Sequence, residues 1–232
     1  MASGFDAGRF GGPIGRLLLE DQERALFAFL GEVSGRRVLD VGTGTGRAAI
    51  ALSKRGATVT GVDASGEMLK VARRRAAEEG VSIEFLEGDA HALAWPDRAF
   101  DAVVCFRLLM HVPAWRTAMA ELCRVADRGV IFDYPSIASI AALQALWRRA
   151  ALKMGSHVEA YRVFSAGEVR DELASHGFRI VGVERQFVLP IALHKLVGSP
   201  RFTRSVEGAL SAGGLLRVAG SPVTVAAERC AS

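Results

Sequence analysis

Long apolar runs are missing from this sequence of 232 residues. None reaches the roughly 18 residues that a helix needs to cross a bilayer, so no membrane-spanning helix is expected. Residues 1–16 lack the apolar centre of a signal peptide, which sets the expectation of a cytoplasmic protein. Cysteine is scarce: Cys105, Cys123 and Cys230 stand far apart, with no Cys-x-x-Cys between them. That spacing argues against a disulfide framework and against structural zinc, and no metal is expected. Internal repeats and low-complexity tracts are absent as well. The only dense basic cluster, Arg73-Arg74-Arg75, falls in a helical pattern where consecutive residues fan out, so it reads as solvated and no nucleic-acid partner is expected.

Charge is weak but uneven. Residues 1–136 carry a net −1 and residues 137–232 a net +5. The basic C-terminal half suits an anionic acceptor or peripheral contact with a membrane surface. Frequent solvated arginine in an Ala/Arg/Gly-rich chain is the simpler account of it. Half of the residues are hydrophobic, which at this length is enough for one domain with a sizeable core.

Strands and helices alternate through the first 135 residues. Strands are expected at 37–41, 57–63, 81–87, 100–106 and 129–133, with helices between them. Thr45 is the expected cap of the first of these helices and Ser65 of the second, whose inner face carries Met68, Ala72 and Ala76. Pro113 opens the helix that runs to Val125. Right-handed crossovers then give an α/β fold with a doubly wound, mostly parallel sheet.

Outside that repeat, residues 1–15 read as an irregular arm, and Ile14, Leu17, Leu18, Ala25, Leu26 and Phe29 share one helical face. Arg16, at the start of that helix, is placed to reach an anionic group or to lie in solvent. Residues 137–154 form a helix whose apolar face carries Ile140, Leu143, Trp147, Ala150 and Met154. Ser165 and Glu168 make a capping box, residues 178–189 a sixth strand, residues 192–216 a helical or irregular segment, and residues 223–229 a last strand. The whole chain, 1–232, is thus one domain with a helical arm at 1–35 and an inserted cap at about 136–164.

The chemistry gathers at three strand ends. Val38-Leu39-Asp40-Val41 runs into Gly42-Thr43-Gly44-Thr45-Gly46 and then a helix. Glycines admit positive φ and close approach of a ligand, and the helix start offers unpaired N–H groups to an anion. Asp63 ends the second strand, 21 residues after Gly42, where a carboxylate accepts hydrogen bonds from two ribose hydroxyls. Asp89-Ala90 follows the third, where a carboxylate accepts from an adenine amino group. Three such sites describe an adenosine-shaped cleft. The loop reads Gly-x-Gly-x-Gly and not the Gly-x-Gly-x-x-Gly of nicotinamide oxidoreductases, which remain an alternative, as does a non-catalytic cofactor-binding protein of the same fold.

With these residues in place, the chain resembles the class I S-adenosylmethionine-dependent methyltransferases, in the branch of ubiquinone/menaquinone and small-molecule enzymes. The stretches that carry the resemblance are Val38 to Gly46, Val62-Asp63-Ala64-Ser65, Glu87-Gly88-Asp89-Ala90 and Phe100-Asp101-Ala102-Val103-Val104. It implies a Rossmann-like methyltransferase fold with seven strands, the strand at 223–229 being inserted antiparallel. It also implies the cofactor S-adenosylmethionine and the product S-adenosylhomocysteine. The first stretch, with Asp40, Gly42, Thr43, Gly44 and Gly46, would place the methionine part. Asp63 would bind the ribose, Asp89 and Ala90 the adenine, Ala64 and Met68 would line that ring, and Phe106 would close the pocket.

For the acceptor, His111 lies just beyond the fourth strand, and an imidazole suits a general base near neutral pH. A solvated or capping histidine near a helix start is the other reading. Tyr134 is a second candidate for acceptor contact, with His157, Tyr161 and His194 weaker ones. The stretch Cys105-Phe106-Arg107-Leu108 lacks the Asp/Asn-Pro-Pro-aromatic tetrad of nucleic-acid base methyltransferases. A small-molecule or lipid/isoprenoid acceptor is therefore expected.

Overall fold

The computed structural model describes residues 11–139 and 162–231. Seven strands form one sheet in the order β3-β2-β1-β4-β5-β7-β6. They are β1 (Arg37–Val41), β2 (Thr58–Asp63), β3 (Glu84–Glu87), β4 (Phe100–Cys105), β5 (Ala126–Tyr134), β6 (Phe178–Phe187) and β7 (Ser221–Arg229). The first five are parallel, and β7 slots antiparallel between β5 and β6. The expected doubly wound sheet with a late antiparallel strand is therefore present.

Eight helices surround it among the described residues: α1 (Gly12–Leu30), α2 (Arg47–Lys54), α3 (Gly66–Glu78), α4 (Trp115–Val125), α5 (Ala166–Ser175), α6 (Ile191–Val197), α7 (Pro200–Ala212) and α8 (Leu215–Ala219). Residues of α1, α2 and α3 bury one sheet face around Val38, Val59, Val104 and Ile131. Those of α4 and α5 bury the other around Leu39, Val103, Phe132 and Val225. Alternation along each strand thus sends neighbouring residues into two separate cores, as a two-faced parallel sheet requires.

Several boundaries differ from the sequence pattern for local reasons. α1 starts at Gly12, inside the stretch read as an irregular arm, because Pro13 sits in the first turn, where its missing N–H costs nothing. β3 is only four residues, since Val81 N–H bonds back to Ala76 O at 2.9 Å and finishes α3 instead of pairing. Pro113 stands two residues before α4, whose first residue is Trp115. Ser65 does cap α3, its Oγ accepting from Met68 N–H, and Ser165 caps α5 through Glu168 N–H. The expected cap helix at 137–154 falls outside the described residues beyond residue 139, as do His157 and Tyr161.

The segment between β6 and β7 is helical, α6 to α8, and α6 and α7 are clasped by buried polar groups. His194 Nε2 lies 2.8 Å from Glu207 Oε1, and Thr203 Oγ1 lies 3.1 Å from His194 Nδ1. Glu207 also accepts the N–H groups of Val188 and Leu189. A buried carboxylate with this many donors is satisfied, so His194 serves the packing of the segment.

Candidate functional site

The site grows from the end of β1. Gly42 and Thr43 both send their N–H groups to Val62 O, at 2.8 and 3.0 Å, which fastens the loop to β2. Gly42, Gly44 and Gly46 all have positive φ, of 71°, 55° and 79°. A Cβ at Gly42 would press on Leu108 at 3.0 Å and one at Gly46 on Ala72 at 3.0 Å, so packing as well as φ excludes side chains there. At Gly44 a Cβ would meet nothing closer than 4.0 Å, and this is the glycine that lies against open space.

Two carboxylates hold the loop. Asp63 accepts Gly44 N–H on Oδ2 at 2.8 Å and Ser65 N–H on Oδ1 at 2.9 Å. Asp40 is buried, and its Oδ2 accepts the Thr43 hydroxyl at 2.7 Å and Ala49 N–H at 3.2 Å. Ala49 lies in the first turn of α2, so Asp40 supplies the side-chain acceptor expected from Thr45. Thr45 does not cap: Gly46 takes the N-cap position in the left-handed conformation, and the Thr45 hydroxyl accepts from Arg75 Nη1 at 2.9 Å. Burial pushes the Asp40 carboxyl up to about 6 from its ordinary 3.8, against the hydrogen bonds from Thr43 and Ala49.

A cavity of about 1160 Å³ opens over this loop. Asp40, Gly42, Thr43, Gly44, Asp63, Met68, Phe106 and His111 line it, eight of the residues singled out from the sequence. Gly46 lies beneath, against Ala72 and Phe85. Ala64 and Asp89 are exposed, and Ala90 is half-buried against the core; none of the three is in the cavity wall. The Asp89 carboxylate is held below its usual range by the N–H and ring of His91, whose Nδ1 lies 2.6 Å away. Tyr134 is the clearest departure. It is buried beside Phe132 and Phe164, its phenol pushed up by burial, and it contributes to the core and not to the cavity.

The cavity also has walls that the sequence pattern did not assign to the site. Leu19, Gln22 and Glu23 line it from α1, together with Leu26 of the apolar face already noted. Their i, i+3, i+4, i+7 spacing is a helical stripe, readable in principle beside the apolar one. Arg75 lines it too, seven residues after Met68 and so on the same face of α3, which corrects the reading of the arginine triplet as uniformly solvated. Arg107 and Leu108 complete the wall after β4, and a short 3₁₀ turn, Leu109–His111, presents His111. Among the described residues no group of three His, Cys, Asp or Glu is placed to hold a metal, and no helix is long and apolar enough to cross a membrane.

Comparison with known proteins agrees with this geometry. Residues 38–129 match the model of a methyltransferase domain. A demethylmenaquinone methyltransferase of Thermus thermophilus is 41% identical over 109 residues, 45% of this chain and 50% of that protein. A ubiquinone biosynthesis O-methyltransferase of Alkalilimnicola ehrlichii is 42% identical over 107 residues, 45% of this chain and 43% of that one. The chain thus matches about half the length of these curated relatives. Among solved structures, magnesium protoporphyrin IX methyltransferase of Synechocystis with bound SAH shares the fold at a TM-score of 0.65 and 21% identity, over 93% of this chain and 84% of that one.

The buried carboxylate makes the loop sensitive to pH in a stated direction. Because the folded state holds the Asp40 proton more tightly than the unfolded chain, this group stabilises the fold fully below its ordinary 3.8 and loses that contribution as pH rises through about 6. Asp40→Asn removes the titration. The stability of Asp40→Asn relative to wild type should therefore improve by about 2–3 kcal/mol between about pH 4 and pH 8, measured by urea unfolding at each pH. A difference that stays flat across that window would show that Asp40 is not buried as a strained carboxylate.

Proposed function

We propose that this chain, whose residues 38–129 match a methyltransferase domain, is a class I S-adenosylmethionine-dependent methyltransferase that moves a methyl group from S-adenosylmethionine to a small-molecule or lipid-like acceptor. The observation that carries the reading is Asp63. Its two oxygens each hold one backbone N–H, of Gly44 and of Ser65, and each keeps acceptor capacity toward the cavity that Asp63 lines. A diol fits such a carboxylate. The open space over Gly44 leaves room for the methionine portion to approach the backbone. The residues present thus fit S-adenosylmethionine.

Asp63 would take the ribose hydroxyls. Met68 and Phe106 would give the base an apolar enclosure, with Ala64 and Asp89-Ala90 beyond the ends of β2 and β3 on the adenine side. Gly42, Thr43 and Gly44 would hold the amino-acid end, on a loop made rigid by Asp40. When bound, the cofactor supplies an electrophilic methyl on a sulfonium. The chain's own part is to hold the acceptor in line behind that methyl and keep water out, which removes much of the entropic barrier. His111, in the wall after β4, would accept the proton of an acceptor hydroxyl as the new bond forms.

The relatives named for demethylmenaquinone and for ubiquinone biosynthesis support an isoprenoid-quinone type of acceptor. So does the segment α6 to α8. Leu196 is 84% and Val218 66% exposed there, beside the exposed side chains of Leu193, Phe202, Arg201, Arg204 and Arg217. Exposed apolar residues among arginines suit an anionic lipid surface. We read the chain as a cytoplasmic enzyme that meets its acceptor at such a surface.

Four tests follow from these assignments. Incubation with methyl-labelled cofactor and cell extract should put label in the lipid fraction, and Asp63→Ala should weaken S-adenosylhomocysteine binding by at least about ten-fold in calorimetry. A wild-type chain that binds neither cofactor nor product would end the reading. His111→Gln should lower kcat about 10²–10⁴-fold while leaving S-adenosylhomocysteine affinity intact; an unchanged rate would remove His111 from the chemistry. The protein should sediment with anionic vesicles at low salt, less so after Leu196→Asp, and indifference to vesicles would discard the membrane contact.

A further inference from the structure

Arg107 has a φ of 62°, one of two non-glycine residues in the left-handed region among the described residues. Such a backbone is disfavoured for a residue with a Cβ and persists only where its surroundings hold it. Here the holder is Asp133, buried at the end of β5, whose Oδ1 accepts Arg107 N–H at 2.5 Å. The turn places Arg107 in the cavity wall between Phe106 and Leu108, close to His111.

The cations of this wall are not alike. Lys54 pairs with Glu79 at 2.6 Å, Arg55 with Glu23 at 3.7 Å, and Arg75 donates to Thr45. Arg107 forms no side-chain ion pair among the described residues, and its Nε is buried with no hydrogen-bond partner. The two acids nearest the loop do not serve it, since Asp40 and Asp63 are taken up by Thr43, Ala49, Gly44 and Ser65. Asp133 meets Arg107 through the backbone N–H, so the half-buried guanidinium still lacks a hydrogen-bond acceptor at Nε among the described residues. A carboxylate supplies that acceptor and an opposite charge together through two parallel N–H···O bonds.

We propose that Arg107 is the counter-ion for a ligand carboxylate bound in this cavity, with Asp133 as the positioning residue that sets its turn. The proposal rests on the methyltransferase reading, and the carboxylate is either that of the acceptor or the amino-acid carboxylate of the cofactor. Calorimetry on wild type, Arg107→Gln and Arg107→Lys uses S-adenosylhomocysteine and 5′-methylthioadenosine, which lacks the amino-acid carboxylate. Labelled methyl transfer into cell extract is then resolved by anion exchange.

Loss of about ten-fold or more in S-adenosylhomocysteine affinity in Arg107→Gln, with 5′-methylthioadenosine unchanged, assigns the carboxylate to the cofactor. Unchanged affinity for both, with about ten-fold less label in anionic products and partial recovery in Arg107→Lys, assigns it to the acceptor. Equal weakening for both nucleosides, or no change in either affinity or anionic label, overturns the proposal. A wild type that binds neither nucleoside overturns the methyltransferase reading itself, and this proposal with it.

Discussion

A glycine loop has no side chains with which to hold its own shape, and here two carboxylates hold it from below and from the side. Asp40 rises from β1 to take the Thr43 hydroxyl and the first turn of α2, while Asp63 reaches from β2 to the Gly44 N–H. Both acids are themselves fixed by the sheet, since Asp40 pairs in register with Gly61 and Val104, and Asp63 with Glu87. Burial makes the ionised form of Asp40 unfavourable, yet the same burial makes its hydrogen bonds strong, because no water competes for them. The loop's conformation therefore depends on the sheet's register, and the cavity depends on the loop.

Features set by neighbours in sequence were legible from the residues. Gly-x-Gly-x-Gly after a buried strand, Asp63 at the next strand end and Ser65 before a helix all act over a few residues or one crossover, and the structure brings them to one place. What was not legible came from tertiary competition. Thr45 had the chemistry of a cap, but Asp40 reached the first turn of α2 from β1 and Arg75 took the hydroxyl instead. Tyr134 stood after a strand, as acceptor-contacting residues do, but the inserted β7 and Phe164 cover it. Asp89 follows β3 as expected, two residues beyond its end, and its side chain turns back to His91.

The C-terminal part shows a different limit. Residues 192–216 carry no periodicity strong enough to separate helix from irregular chain, because their order is imposed by one buried acid. Glu207 collects His194 and the N–H groups of Val188 and Leu189 from two places in the sequence, which positions α6 and α7 against the end of β6. With its polar centre satisfied, the segment does not need an extensive apolar core of its own. Leu193, Leu196, Val197, Phe202, Leu215 and Val218 are then left exposed, and with the arginines they form the apolar, basic surface of this segment.

The two sides of the cavity are built by opposite strategies, and this bears on what they can recognise. The loop side uses backbone N–H groups and carboxylates already engaged by the fold, so its specificity is for shape and for hydrogen-bond donors such as hydroxyls. The side after β4 uses a strained turn. A left-handed arginine is held there by a buried aspartate from the neighbouring strand, next to a histidine on a 3₁₀ turn. Strain of that kind is retained where an altered backbone re-aims a side chain, and the residue re-aimed is a cation. The fold thus sets a rigid acceptor of hydrogen bonds opposite a tunable donor of positive charge. Substitution of Arg107 can change the ligand taken on that side with little effect on the loop, because Asp133 holds its turn and the loop packs on Leu108 instead.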